Sequence, residues 1–327
     1  MARPTLPRIR RGRARGSTGE VAERTEPRVS ELSANGLTWI HMNEPGVPEV
    51  AYLAEHFPQF HELDIEDVLS RRQRPKIDEY PDYLFIVLHF PFYDKNVQRL
   101  NAAELDLFLG DDFLITLPNV ELLPVTYLFR RCEDDLERRE ELFSKGSGYL
   151  LYHILDDLFD YCFPILDKIA TKLDTIEDDM FEERAEEIVR DISNVKQEII
   201  SYRKTIKPER STLRVLERYT QRFLPENLDL YFDDIVDAAE RVWDLLDNYK
   251  EVVEALEATN ESVISHRQNY RLQILTVFSV VFLPLTLISG IFGMNFGFSS
   301  PGFVVVVSCM AALFLSAVGF FRWKSWI

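Results

Sequence analysis

Hydrophobic and polar positions follow three rhythms along this chain, and each predicts its own kind of structure. Between residues 36 and 119 the apolar runs are short and broken by turn residues. Segment 37–42 reads as a strand, 48–57 and 62–70 as short helices, and 83–88, 103–109 and 112–117 as β-rich runs. Gly110, Asp111 and Asp112 turn the chain between the last two. From Gly148 onward the rhythm becomes helical. Leu166, Ile169, Leu173, Ile176 and Met180 form one seam, and Ile188, Ile192, Val195, Ile199, Tyr202 and Ile206 another. Steps of three and four predict long amphipathic helices with coiled-coil-like packing. Pro208 and Pro225 punctuate the region.

Residues 226–283 contain neither Pro nor Gly. Leu228, Tyr231, Ile235, Ala238, Val242, Leu245, Tyr249, Val252 and Leu256 recur there at alternating steps of three and four. One helix of this length would measure roughly 87 Å. It would run from a soluble part straight into the third rhythm, unbroken apolarity. Across residues 272–321, fifty positions carry no Asp, Glu, Lys, Arg or His. They divide into two runs of about 20 residues, each enough for a hydrocarbon core of about 30 Å. The seven residues 295–301 join them. A two-span membrane hairpin with a short outer turn is expected. Arg267 and Arg271 precede it, and Arg322 and Lys324 follow. Flanking cations stay on the cytoplasmic side, so both termini are expected in the cytosol. No apolar leader marks the N-terminal segment.

The first span carries a stripe: Asn269, Leu272, Thr276, Ser279, Leu283, Thr286, Gly290 and Gly293. Small and hydroxyl residues on one face often mean helix packing. This stripe is long, ends beside Asn295, and breaks its polarity only at Leu272 and Leu283. A pore face with two apolar constrictions explains that pattern. The second span shows no such stripe and is expected to face lipid. One hairpin offers one polar face, so a pore needs a ring of copies.

Composition narrows the function. The net charge is −17, which disfavours nucleic-acid binding by the body of the chain. The exception is residues 3–28, with eight arginines, read as part of a disordered tail, with an anionic-lipid contact as the alternative. Residues 226–261 hold twelve acids against Arg241 and Lys250, and residues 156–187 hold twelve against three bases. Such surfaces repel one another when copies assemble, and divalent cations would relieve that. Cys132, Cys162 and Cys309 lack metal-site spacing, and the six histidines are scattered. No phosphate-binding Gly-rich loop with Lys and Ser/Thr is present. The group His61, Glu62, Asp64, Glu66 and Asp67 reads as the polar face and first turn of a surface helix rather than as acid–base machinery. A non-enzymatic role is expected. Two charges crossing 100 mV gain roughly 4.6 kcal/mol, enough to drive passive uptake.

Phe282-Leu283-Pro284-Leu285-Thr286, followed by Gly290-Ile291-Phe292-Gly293-Met294-Asn295-Phe296, resembles the CorA family of magnesium channels, whose signature is Gly-Met-Asn. Gln73-Arg74-Pro75-Lys76, Tyr93-Asp94-Lys95-Asn96 and Arg203-Lys204-Thr205-Ile206 are also similar to family segments. The resemblance implies a funnel-shaped homopentamer. Its parts would be a disordered tail (1–35), an α+β cytosolic domain with a small mixed sheet (36–145), and long acidic helices (146–225). A continuous stalk and pore helix (226–294), an outer loop (295–301), a second span (302–321) and a cytosolic tail (322–327) would follow. It implies a selectivity filter at Gly293, Met294 and Asn295 that recognises hydrated Mg²⁺. It places the hydrophobic gate at Leu272, Leu275 and Leu283 and matches polar pore positions at Thr286 and Asn269; Thr276, Ser279 and Gly290 join the expected pore lining from the stripe. Asp94 and Asp234 match an inter-subunit Mg²⁺ sensor, so Mg²⁺ is implied as both cargo and regulatory ligand. Co²⁺ and Ni²⁺ are further candidate cargoes.

Two features depart from the family pattern. No acid follows Glu261, so the outer loop is uncharged, and the tail Arg322-Trp323-Lys324-Ser325-Trp326-Ile327 has only two cations. A zinc-type transporter on the same scaffold and a membrane-anchored coiled-coil scaffold remain alternatives. The expected partners are lipid, divalent cations and further copies of the chain, with no nucleic acid.

Overall fold

Asn35 and Gly36 take left-handed backbone angles, φ 51° and 82°, as a two-residue hairpin turn requires. They join β1 (Ser30–Ala34) to β2 (Leu37–His41), antiparallel, with Ala34 opposite Leu37. Strand β1 corrects the expectation of a disordered tail through residue 35. Leu32 is buried, and the hairpin turn fastens the strand to the sheet. The computed structural model describes residues 26–70, 73–94, 99–180, 185–224, 230–293 and 301–324. They form two compact units, one within 1–168 and 198–247, the other within 169–197 and 248–327.

In the first unit, helices α1 (Val47–His56) and α2 (Glu62–Asp67) are followed by β3 (Lys76–Glu79), β4 (Tyr83–Asp94), β5 (Arg99–Gly110) and β6 (Phe113–Pro118). The sheet order is β1-β2-β6-β5-β4-β3, with only β2 and β6 parallel. The mixed sheet expected from the sequence is present. Strand β3 escaped detection, as did helices α3 (Leu123–Asp134) and α4 (Leu136–Phe143).

Every residue from Tyr83 to Leu88 is buried, because both sheet faces are covered. A doubly covered strand reads as a continuous apolar run rather than an alternating one. On one face Phe85, Val87, Phe108, Ile115 and Leu117 pack with Leu53 and Phe60. On the other, Trp39 meets Phe129 edge-on at 4.9 Å, and Phe90 meets Phe159 at 5.5 Å.

The helical part comprises α5 (Ser147–Asp179), α6 (Ala185–Thr220), a 3₁₀ turn at Gln221–Phe223, α7 (Leu230–Gly293) and α8 (Pro301–Trp323). Every residue of the two early seams is buried. Pro208 lies inside α6 and does not end it. The stalk seam is only half right. Ile235, Ala238, Val242 and Leu256 are buried, but Val253 is fully buried where Val252 is 41% exposed, and Leu246 is buried where Leu245 is only partly so. Phe232, Ala239, Leu246 and Val253 form a second row one residue along, about 100° round the helix. Both rows are apolar, and only packing chooses between them. Leu228 lies outside the described residues, as do Pro225 and 226–227.

Three other expectations change. Pro301 opens α8 rather than ending the loop, and Arg322 and Trp323 continue that helix rather than belonging to the tail. Asp64, expected on a surface, is 2% exposed. Tyr80 and Tyr83 donate their hydroxyls to its carboxylate at 3.2 and 2.9 Å. Its helix turns inward there because the two tyrosines satisfy a buried charge.

Candidate functional site

Helix α7 enters the apolar region carrying Val277, Val281 and Leu285, which pack against Ala317 and Phe321 of α8. Successive residues rotate by about 100°. Leu272, Leu275, Thr276, Ser279, Leu283, Thr286 and Gly290 therefore centre roughly 170° from that contact. All seven are exposed, Leu272 at 59% and Leu283 at 69%, and Asn269 is exposed at the edge of the same face. Gly293 is the last described residue of α7. Met294 and Asn295 lie outside the described residues.

The hydroxyls on this face are oriented. Thr276 Oγ1 donates to Leu272 O, Ser279 Oγ to Leu275 O, and Thr286 Oγ1 to Phe282 O, each at 2.8 Å. Each donor proton is used within the helix. Each oxygen keeps acceptor capacity for an outside partner, which suits water carried by a cation. Between Leu283 and Ile291 an open groove is lined by Leu283, Thr286, Leu287, Gly290 and Ile291. An added Cβ at Gly290 would meet no atom within 4 Å, so this face is open in the single chain. Both spans have apolar windows of high mean hydropathy, 2.3 and 2.5, of which 6% is buried. The first unit has the opposite character.

The two sensor candidates lie in the first unit. Asp94 ends β4 opposite Arg99, and Asp234 is exposed on α7. Asp234 faces acidic surroundings that the sequence did not reveal. Burial and the carboxylates of Asp160, Asp234 and Asp157 push Asp156 of α5 up to about 6. Burial, Asp156 and Asp234 push Tyr152 up to about 12. Among the described residues, no three His, Cys, Asp or Glu side chains are grouped to hold a metal ion. A cation at Asp234 would need ligands beyond these.

The acidic stalk is less bare than its composition suggests. Arg203 pairs with Asp247 at 2.5 Å, Arg210 and Arg214 both pair with Glu240, and Lys196 pairs with Glu257 at 2.5 Å. Trp243 stacks under the Arg203 and Arg210 guanidiniums, 4.3 and 4.9 Å from the ring centre. Counting charges along one helix missed these partners, because they come from α6.

The chain thus joins a mixed α/β unit to a long helix and an apolar hairpin, with two helices long and apolar enough to cross a membrane. Residues 34–323 match the model of the CorA-like Mg²⁺ transporter protein family, and the chain belongs to that family. It is 29% identical over 296 residues to the cobalt/magnesium transport protein CorA of Thermotoga maritima, covering 89% of this chain and 83% of that protein. It is 20% identical over 300 residues to the zinc transport protein ZntB of Yersinia pseudotuberculosis, covering 90% and 89%. The solved CorA magnesium transporter from Methanocaldococcus jannaschii superposes with a TM-score of 0.79 at 22% identity, covering 92% of this chain and 95% of that one. This last likeness establishes the fold. The chain is a divalent-cation transporter of the CorA family, and enzymes are not what this family comprises.

Proposed function

We propose that this chain forms a homopentameric channel for passive Mg²⁺ uptake, with the exposed stripe of α7 lining the pore. The observation that carries this reading is the placement of that stripe on the side of α7 away from α8. There it is available to copies of itself while α8 meets lipid. Gly293, Met294 and Asn295 form the outer filter. Mg²⁺ gives up its water reluctantly, so carboxamide oxygens and hydroxyl lone pairs serve a hydrated ion better than a stripping cage would. Leu272, Leu275 and Leu283 form apolar constrictions that dewet when narrow. Asn269, Thr276, Ser279, Thr286 and Gly290 provide the polar or open stretches between them.

Asp94 and Asp234 bind Mg²⁺ between neighbouring copies and hold the pore shut. The carboxylate crowding around Asp234 supports this, because a divalent cation relieves repulsion that α6 leaves uncompensated. Loss of cytosolic Mg²⁺ releases the bridges and shifts the population toward an open ring. Both termini lie in the cytosol of a cell whose inner membrane holds the two spans.

The test is Mg²⁺ influx into proteoliposomes with a trapped dye and an inside-negative potential, with the wild type beside Asn295→Ala. Influx that collapses in the variant is the expected result. A pentameric wild type that passes Zn²⁺ but not Mg²⁺ would replace this reading with zinc transport. Silence toward every divalent ion would leave a scaffold.

A further inference from the structure

Strand β5 carries two carboxylates within an otherwise apolar run. Glu104 and Asp106 are 3% and 1% exposed and share a sheet face, as alternate strand residues do. His89 of β4 stands opposite Glu104, its Nε2 3.3 Å from Glu104 Oε2. The register of β3 on β4 stops at Lys76 opposite Val87. Beyond that point α6 takes over the edge. Glu209, 1% exposed, accepts the backbone N–H of His89 at 2.6 Å, and its Oε1 lies 3.6 Å from His89 Nδ1.

Further groups near this cluster come from α2, from β3 and the segment before it, and from α5. Asp67 of α2 and Lys76 of β3 pair at 2.7 Å, and Asp78 pairs with the same lysine at 2.6 Å. Gln73 donates its backbone N–H to Glu104 Oε2 at 3.2 Å. Cys162 of α5 lies close enough to Glu209 to feel its charge. Among the described residues, Nδ1 of His89, Oδ1 of Asp106 and Oε2 of Glu209 have no hydrogen-bond partner. Three buried carboxyls thus face one imidazole, too few positive charges for all of them to ionise.

Burial alone would lower His89, but the neighbouring carboxyls of Glu104 and Glu209 outweigh that and raise it to about 9. Burial pushes Glu209 up to about 7, with His89 opposing. Burial, helped by the charge of Glu104, raises Asp106 well above its ordinary value.

We propose that His89, Glu104, Asp106 and Glu209 form a proton-operated latch pinning α6 to the open edge of β4, through which pH on this unit's side of the membrane adjusts transport. The transport half rests on the divalent-cation reading above. With protons in place on His89, Asp106 and Glu209, the imidazolium and these two neutral carboxyls fit together. As protons leave, the carboxylates face one another uncompensated and α6 loses its hold.

The sign follows from the direction of both shifts. Glu209 contributes fully below its ordinary 4.5 and loses its contribution as pH rises through about 7. His89 contributes fully below 6.5 and loses its contribution through about 9. Stability therefore declines as pH rises.

The experiment uses the full chain as wild type, Glu209→Gln and His89→Gln, with His41→Gln as control. His41 is buried and lowered to about 4, so it is neutral throughout. Thermal midpoints in detergent are followed from pH 6.5 to 9, and Mg²⁺ influx is measured at the same internal pH values. The wild-type midpoint should fall by roughly 2–4 °C more than that of either latch variant. Wild-type influx should change by at least about fivefold over this range. The His41 variant should follow the wild type. Superimposable midpoint profiles for the wild type and whichever latch variant folds would overturn the latch, as would a flat wild-type profile. Separated midpoints with identical influx profiles would overturn its regulatory role. A wild type silent toward Mg²⁺ at every pH would overturn the transport reading, while the midpoints still decide the latch.

Discussion

Phe85 and Leu283 are both apolar, yet one is fully buried and the other 69% exposed within the same chain. Phe85 belongs to the mixed sheet, where Val87, Phe108 and Ile115 close around it. Leu283 belongs to α7 in the second unit, where only the Val277, Val281 and Leu285 side meets α8. The sheet unit completes its core from its own residues, and water drives that burial. The hairpin leaves most of its apolar surface uncovered within the chain, with only 6% of each apolar window buried. Substitutions should therefore read differently in the two regions.

The largest effect should come from truncating the sheet core. Phe108→Ala should cost about 3–5 kcal/mol and lower the thermal midpoint in detergent sharply. Leu315→Ala on α8, a position 68% exposed, should shift it by no more than about 0.5 kcal/mol. Equal losses would mean that the hairpin packs as tightly as the sheet, and the contrast would disappear.

Of intermediate size is the effect of the Mg²⁺ regulation proposed for Asp94 and Asp234. Neutralising Asp94 and Asp234 together, as Asn, should raise the Mg²⁺ concentration that half-inhibits influx by at least about fivefold. Unchanged inhibition in dye-loaded vesicles would remove both residues from the sensor.

A smaller effect is expected at Glu240, which Arg210 and Arg214 share. All three side chains are partly exposed, so Glu240→Gln should cost about 0.5–1 kcal/mol. A larger loss in denaturant unfolding would show that α6 and α7 depend on these pairs more than on Val242 and Leu246.

Some features were legible because their causes are local. A run without charge is a property of composition, and bilayer thickness converts it directly into two spans. The seams at Leu166–Met180 and Ile188–Ile206 follow from helical periodicity and are buried as expected. The hydroxyl stripe is a periodicity as well. Tertiary structure decided the rest, because the deciding partners are distant in sequence. It chose Val253 over Val252 on α7, since two adjacent apolar rows satisfy the same rhythm. It turned Asp64 inward, since Tyr80 and Tyr83 satisfy its carboxylate. It set α8 against one side of α7, leaving the stripe on the other. It also brought Glu209 to His89 across 120 residues, because a strand edge left an unpaired N–H for a helix to find.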